Sequence, residues 1–308
     1  MREEPVIGFI GLGLMGHGIA KNIRNGGYDL LVKGNRNRTP IDSLLNLGAQ
    51  EIQSPREMAG KCDIIHLCLS TSTQIEATMH GENGILAGAS PGLVVVDTST
   101  ADPSSTEALA ARLAEKGGHM VDAPLGGTPV QAEAGELSAM VGGEKEVIAR
   151  IRPVLDCWAA SINHIGPVGA GHKMKLLMNF VGLSYGALFS ELVVLGAKVG
   201  ISPQKIHEVL SPSRMGSGFF ETFMGYVVER NRESHKFSIE NAAKDMRYLN
   251  EMAAEAGIVN IMAAAAKHYY THAIATDHGE DYVPMLSDLV GEMNGIDMDR
   301  IVREANEA

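Results

Sequence analysis

The chain has 308 residues, of which 45% are hydrophobic and 20% charged, and its formal net charge is −11. These values are typical of a globular protein large enough for two domains, and they argue against a nucleic-acid binder, which needs a basic face. The three cysteines have no CxxC spacing and indicate buried thiols in a reducing compartment. No signal peptide precedes the first predicted strand, so we expect a cytoplasmic protein with neither nucleic-acid nor membrane partners.

The chain begins with a strand, a glycine-rich turn and a helix. Residues 6–10 are apolar, and the run ends in G-x-G-x-x-G before apolar residues at helical spacing. In this context the glycines favour a tight turn, a close approach to a pyrophosphate, and a helix N-terminus that attracts it. The predicted cofactor loop is Gly11, Leu12, Gly13, Leu14, Met15 and Gly16.

A second predicted strand, residues 28–32, leads into a basic loop. An NAD site normally offers an acidic residue here to the ribose, but no acidic residue occurs between residues 30 and 41. Lys33, Arg36 and Arg38 are present instead, and guanidinium groups suit a 2′-phosphate. The loop therefore favours NADP over NAD, the alternative interpretation being a solvated basic loop.

Strands and helices then alternate as far as residue 165. This alternation predicts a parallel, doubly wound sheet with ligands at the carboxyl ends of its strands. His66, within one strand, is interpreted as a packed core residue. The predicted strands are 62–69, 93–96, 119–122, 137–141 and 162–165, and the predicted helices are 73–80, 103–116 and 144–158.

After residue 171 the signal for strands disappears. Residues 169–200 predict one long helix, in which Gly182 and Gly186 would let another backbone approach closely. Its apolar part contains several polar residues, so we expect an interior helix rather than a membrane span. Further helices are predicted at 203–210, 219–231, 238–256, 261–275 and 282–293. The predicted domains are a Rossmann domain at 1–168 and a helical domain at 169–308 for substrate binding and oligomerisation.

Lys175 and Asn179 lie one helical turn apart near the start of the long helix. An ammonium and an amide so placed can act as an acid/base group and its support. A solvated lysine with a capping asparagine is the simpler alternative.

Five motifs together resemble the β-hydroxyacid dehydrogenase family, which includes 3-hydroxyisobutyrate dehydrogenases and tartronate semialdehyde reductases. The resemblance covers nearly the whole chain, including the change to a helical second half. The motifs are residues 8–16, 97–100, 122–127 with 134–135, 169–175 with Asn179, and Lys244-Asp245.

The resemblance implies reversible hydride transfer between NADP, or alternatively NAD, and a small anionic 3-hydroxy acid or semialdehyde. It also implies a homodimer or homotetramer joined through the helical domain. Lys175 would be the general acid/base and Asn179 its support. The other implied cofactor residues are Asn35, Arg36, Leu69, Thr100 and Lys244, and the implied substrate residues are Ser99, Gly126, Gly127 and Thr128 together with Lys175 and Asn179.

The substrate loop departs from the family pattern. Ser-Gly-Gly is replaced by Gly126-Gly127-Thr128, so we expect Thr128 to supply the missing hydroxyl and the backbone amides to hold a carboxylate or sulfonate. Arg214 is a possible second anchor, although exposed loop arginines are common. Two smaller departures are Ser70 after Leu69 in place of proline, and Met178 in place of the first asparagine of an Asn-Asn pair.

Three other functions are considered. A non-catalytic dinucleotide-binding interaction module of the same fold would be expected to lack the lysine, which is present here. An imine reductase would also be expected to replace it. A 6-phosphogluconate dehydrogenase would be expected to have a considerably longer helical half.

Overall fold

A computed structural model describes residues 4–35 and 37–307 of the chain. The chain divides after Lys175 into two compact units, one α/β and one built mainly from helices. The boundary between residues 168 and 169 stays a prediction.

The first unit contains one large, mostly parallel sheet. Its strands are β1 (Ile7–Ile10), β2 (Leu30–Lys33), β3 (Gln50–Glu51), β4 (Ile64–Leu67), β5 (Val94–Asp97), β6 (His119–Asp122), β7 (Leu125–Gly126), β8 (Leu137–Gly142) and β9 (Ala159–Gly166). They are ordered β3-β2-β1-β4-β5-β6-β8-β7, with β9 beside β8. Strands β1 to β6 pair in parallel, whereas β8 is antiparallel to β6 and β7. The predicted doubly wound sheet is confirmed, with an antiparallel addition at one edge.

Helices pack against this sheet and bury its strands. They are α1 (Gly16–Asn25), α2 (Thr39–Asn46), α3 (Pro55–Ala59), α4 (Ser72–Met79), α5 (Ile85–Gly88), α6 (Pro103–Ala114), α7 (Pro129–Ala134) and α8 (Lys145–Leu155). Residues of β1 pack into different hydrophobic clusters: Ile7 and Phe9 belong to one cluster and Ile10 to another. Strands β1, β4 and β5 are buried throughout, since both faces of the sheet are covered there, and they are mainly apolar runs in the sequence.

The second unit confirms the predicted change to helices. Its helices are α9 (Ala170–Lys198, beginning in the first unit), α10 (Pro203–Leu210), α11 (Gly218–Glu229), α12 (Ile239–Glu255), α13 (Ile261–Ala275), α14 (Leu286–Met293) and α15 (Met298–Glu307). Ser202, Ser217 and Ser238 cap α10, α11 and α12 by accepting a backbone N–H with the side-chain oxygen. These caps fix where the three helices begin.

Helix α9 packs closely at Gly186. A Cβ there would lie 2.7 Å from both the Tyr270 hydroxyl and a Val283 methyl. The same Tyr270 hydroxyl donates a hydrogen bond to the Leu183 carbonyl at 2.7 Å. The close approach expected at Gly186 is therefore made by side chains and not by a second backbone. At Gly182 the corresponding neighbour is also a side chain, the Phe219 ring, 3.3 Å from the position of a Cβ.

One helix among the described residues, α9, is long and apolar enough to cross a membrane by length and composition alone. Buried residues make up 44% of its most apolar window. A core helix of a soluble protein meets the same criterion, so this is weak support for a membrane span.

Candidate active site

The turn after β1 has the geometry that a dinucleotide requires. Gly11 has a φ of +101°, and a Cβ there would lie 2.1 Å from the Cys68 carbonyl oxygen. A Cβ on Gly16 would lie 1.9 Å from the Gly11 carbonyl oxygen. At Gly13, in contrast, no neighbouring atom lies within 4 Å of that position. The fold therefore requires the first and third glycines, and the second leaves the backbone open to a ligand.

The N-terminus of α1 suits an anion. Met15 provides no side-chain cap, and the first turn contains no acidic residue. The neighbouring Leu14 is exposed. Uncapped N–H groups and the positive end of a helix dipole attract phosphates. The turn and helix therefore fit the pyrophosphate of a nicotinamide dinucleotide.

The loop after β2 presents an arginine that is already paired. Arg36 lies outside the described residues, and Asn35 is exposed. Arg38 donates from Nη1 to Glu51 Oε1 at 2.6 Å and from Nη2 to Glu51 Oε2 at 2.9 Å. Its Nη2 also lies 3.1 Å from Asp42 Oδ1. The Arg38 side chain therefore has two carboxylate partners.

Glu51 reaches this loop from the neighbouring strand β3. A Cβ on Gly34 would lie 2.4 Å from its Oε1 atom, so the carboxylate lies at the end of β2. Its hydrogen bond with Arg38 is the main reason that the pKa of Glu51 lies below its ordinary value. The loop predicted to bind the ribose thus holds a carboxylate and a guanidinium together. Because Glu51 lies on another strand, the sequence of the loop itself does not reveal this carboxylate.

The loops after β4 and β5 are joined by Ser99. The Leu69 N–H donates to Ser99 Oγ at 2.9 Å, and the Ser99 N–H donates to Asp97 Oδ1 at 3.0 Å. Ser99 is buried, while Thr100, the next residue, is partly exposed. The Ser99 hydroxyl therefore braces two strand-end loops. The binding roles of Leu69, Ser99 and Thr100 stay predictions.

Asp122, at the end of β6, caps the beginning of α9. Its carboxylate accepts the Gly169 N–H at 2.7 Å and the His172 N–H at 2.8 Å. A Cβ on Gly171 would lie 2.2 Å from a backbone carbonyl of β8, so a glycine is needed there. A buried carboxylate that satisfies two N–H groups at a helix N-terminus is a strong anchor. Lys175 follows one turn later in the same helix.

The His172 side chain makes a second anchor for this turn. Its Nε2 lies 3.1 Å from the Ser99 carbonyl oxygen, and its Nδ1 lies 2.8 Å from Thr106 Oγ1 on α6. Asp97 Oδ2 is 3.9 Å from Nε2 and lacks a hydrogen bond, and burial raises the pKa of this carboxyl above its ordinary value. The sequence analysis assigned no role to His172. Its place three residues before Lys175 was the available signal.

The predicted substrate loop leads directly into α7. Gly127 has a φ of +127°, which favours glycine. The Thr128 N–H donates to Gln131 Oε1 at 2.9 Å, and Thr128 Oγ1 accepts the Gln131 N–H at 3.5 Å. These bonds form a capping box for α7. Both polar groups that we expected Thr128 to offer a substrate therefore serve the helix.

Helix α7 is braced against the cofactor helix α1. Asn22 Nδ2 donates to the Ala132 carbonyl at 2.9 Å. Glu133 Oε1 lies 2.6 Å from His17 Nδ1, and Glu133 Oε2 accepts a hydrogen bond from Lys21 Nζ at 2.5 Å. The predicted substrate loop and the glycine turn are thus held by one pair of packed helices.

In the second unit, Asn179 and Lys244 share a carboxylate. Asn179 Nδ2 donates to Asp245 Oδ2 at 2.6 Å, and Lys244 Nζ lies 3.2 Å from Asp245 Oδ1. Asp245 is buried, and Lys244 Nζ also lies 5.8 Å from the centre of the Tyr248 ring. Sequence reasoning identified Asp245 only as part of a motif. The structure shows that it orients the Asn179 amide.

Arg214 is exposed between α10 and α11, and its role as a substrate anchor stays a prediction. Within residues 4–35 and 37–307, no group of three or more His, Cys, Asp or Glu side chains could hold a metal ion.

The fold and the glycine turn define a dinucleotide-binding protein of the Rossmann class. Residues 6–166 match a family described as the NAD-binding domain of 6-phosphogluconate dehydrogenase. Residues 169–287 match a family described as NAD-binding of NADP-dependent 3-hydroxyisobutyrate dehydrogenase.

Similar proteins agree with these matches. The chain is 31% identical to 2-(hydroxymethyl)glutarate dehydrogenase of Eubacterium barkeri over 96% of this chain and 98% of the relative. It is 30% identical to 3-sulfolactaldehyde reductase of Escherichia coli over 89% and 91% of the two chains. A solved structure, Psf3 in complex with NADP+ and 2-OPP, is 25% identical, with a TM-score of 0.80 over 92% of this chain and 100% of that one. The chain belongs to the β-hydroxyacid dehydrogenase family, and it is an NAD(P)-dependent oxidoreductase.

Proposed function

We propose that the protein transfers a hydride reversibly between a nicotinamide cofactor and a small anionic 3-hydroxy acid or its semialdehyde, with Lys175 as general acid/base. The observation that carries this proposal is the double anchoring of α9. Asp122 and His172 hold its first turn against the loops after β5 and β6, and Lys175 is one turn further along. Ligands of open α/β sheets bind at this carboxyl edge of the strands.

The chemistry needs one proton donor or acceptor at the substrate oxygen. The bound cofactor supplies the hydride or accepts it. In the oxidation direction Lys175 takes the hydroxyl proton, and in the reduction direction it returns a proton to the carbonyl oxygen. Desolvation and a cationic nicotinamide both disfavour the charged form of a lysine, which helps it to accept the hydroxyl proton. Asn179, oriented by Asp245, would hold the same oxygen.

We propose that the substrate has an acidic head group. The names of the two relatives include one carboxylic acid and one sulfonic acid, each with a hydroxyl or aldehyde. Gly126 and Gly127 lie beyond the end of β6, and we propose that their loop binds either head group. Residues in this loop would then distinguish charged from uncharged substrates.

We infer a preference for NADP(H) with NAD(H) as the alternative. Arg38 supports this preference because a guanidinium binds a 2′-phosphate well. Glu51 weakens it, because it already pairs with Arg38 and is itself a potential acceptor for a ribose hydroxyl.

We also propose a cytoplasmic homodimer or homotetramer formed through the helical domain. The three cysteines are free thiols, as a reducing compartment requires. Val181, Leu188 and Leu195 are exposed on α9 at intervals of seven residues, which places them along one side of the helix. Light scattering coupled to gel filtration measures the assembly, and Leu188→Glu with Leu195→Glu should dissociate it.

A panel of acids tests the proposed activity. It contains 3-hydroxyisobutyrate, 2-(hydroxymethyl)glutarate and 3-sulfolactaldehyde, each tried with NADP(H) and NAD(H) while nicotinamide absorbance is followed. We expect turnover of at least one acid and much weaker turnover of its uncharged ester or alcohol analogue. Cofactor binding without turnover of any small hydroxy acid or semialdehyde would instead favour a non-catalytic module.

A further inference from the structure

Ser138 occupies the space that a side chain at Gly126 would need. The two residues are directly opposite in the antiparallel pair of β7 and β8. Opposite residues project to the same side of a sheet. Ser138 Oγ donates a hydrogen bond to the Gly126 carbonyl oxygen at 3.2 Å. A Cβ on Gly126 would lie 2.4 Å from Ser138 Oγ. The loop therefore has no side chain at Gly126, and the Ser138 hydroxyl on β8 lies where that side chain would be.

The local structure presents this hydroxyl rather than burying it. Leu137 and Ala139, on either side, are fully buried, whereas Ser138 is partly exposed. The register between β8 and β9 shifts between Leu137 and Ser138. Such bulges redirect side chains and are frequent next to active sites. The hydroxyl proton can rotate from the carbonyl to a stronger, charged acceptor.

Thr128 is a weaker source of the hydroxyl. Its Oγ1 accepts the Gln131 N–H, and its own N–H donates to Gln131 Oε1, so both groups belong to the cap of α7. Turning Thr128 toward a ligand would cost about 1 kcal/mol of helix capping. The Ser138 hydroxyl would only change its acceptor from the Gly126 carbonyl to the acidic head group, and no helix cap would be lost.

We propose that Ser138 determines substrate specificity by donating a hydrogen bond to the acidic head group. This inference rests on the proposed function, because it assumes that the loop at Gly126 faces the substrate.

The first test compares an acid with its neutral ester in Ser138→Ala. The KM for 3-hydroxyisobutyrate should rise about tenfold, because one hydrogen bond to a charged group is lost. The KM for the neutral methyl 3-hydroxyisobutyrate should change less than about twofold. The kcat for the acid and for the ester should also change less than about twofold, because the hydrogen bond stabilises the ground state and the transition state equally. Ser138→Thr keeps the hydroxyl on a strand residue and is the matched control. A binding measurement gives a readout that does not depend on turnover. The Kd of isobutyrate for the complex of Ser138→Ala with NADP+ should rise by about the same factor as the KM.

The second test moves the hydroxyl back to the loop. Gly126→Ser alone brings its Cβ too close to Ser138 Oγ, so it should impair binding. In the double variant with Ser138→Ala, the nearest carbon at position 138 is 3.8 Å from the new Cβ, and a serine hydroxyl is again present. The double variant should therefore bind the acid better than Gly126→Ser alone, which is a non-additive result.

The outcomes separate this inference from the proposed function. Equal KM values for wild type and Ser138→Ala, or losses that simply add in the double variant, overturn the role of Ser138. Full turnover in Lys175→Ala, or wild type that binds isobutyrate no better than isobutanol, overturns the proposed function itself.

Discussion

Lys175 and Lys173 are two residues apart in α9 but differ in surroundings. Lys173 is exposed and pairs with Glu107 at 2.6 Å, whereas Lys175, the proposed acid/base, is partly buried. Lys175→Ala should lower kcat by about 10²–10⁴-fold, the usual contribution of general acid–base catalysis, without changing the Kd for NADP+. Lys173→Ala, the control, should keep most of its turnover. A Lys175→Ala enzyme that retains more than about a third of wild-type turnover would contradict the assignment.

Glu51 is the residue we expect to moderate cofactor choice. It neutralises Arg38 and would repel a 2′-phosphate, so Glu51→Gln should lower the Kd for NADP+ by about two- to fivefold. The Kd for NAD+ should change less. Glu57→Gln removes the same charge from an exposed pair with Lys61 and serves as the control. Titration of the protein with each cofactor measures both constants; a loss of NAD+ binding alone would show that Glu51 accepts from the ribose.

At the scale of elements, the first turn of α9 depends on His172 for its connection to the loop after β5. His172→Gln can place an amide nitrogen near the Ser99 carbonyl, whereas His172→Asn can reach only toward Thr106. If the Ser99 bond positions Lys175, the Asn variant should lose roughly 10- to 100-fold in kcat and the Gln variant much less. Both should bind cofactor normally and have similar stability. Equal losses in the two variants would mean that His172 contributes only packing.

The elements also show what sequence could and could not predict. Buried parallel strands and a long apolar helix leave continuous patterns, so the sheet and the helical half were predictable. Helix α7 has only six residues, too few for a periodic signal, and its cap therefore went unnoticed at Thr128. Glu51 was missed because it reaches the ribose loop across a strand pair, and Ser138 because it reaches Gly126 in the same way. Contacts of this kind depend on register, which composition and spacing do not reveal.

For the molecule as a whole, His66 links stability to pH. It is fully buried, stacks on Phe9, and neither ring nitrogen has a hydrogen bond. Burial lowers the pKa of His66 from 6.5 to about 3. Its neutral form is therefore favoured in the folded state, and stability should be complete above pH 6.5 and decrease as pH falls toward 3.

Replacing His66 should remove this part of the acid sensitivity. Since its nitrogens are unpaired, His66→Leu leaves no partner unsatisfied. Urea unfolding at pH 7 and pH 5 measures the free energy of unfolding at each pH. Its decrease from pH 7 to pH 5 should be smaller in the variant than in wild type, by on the order of 1–2 kcal/mol. The exposed His80→Leu is the control. An identical loss in wild type and His66→Leu would assign acid sensitivity to other groups.

Trp158 packs edge-on against His66, with ring centres 6.2 Å apart, and it is the chain's single tryptophan. Of the seven tyrosines, Tyr28 alone precedes Leu176. The two units therefore carry separate optical labels. Tryptophan emission, excited where tyrosine does not absorb, reports the melting of the α/β unit, and near-ultraviolet tyrosine dichroism reports mainly the helical one. Coincident transitions would show that the units unfold together, and separated ones would measure each stability without cutting the chain.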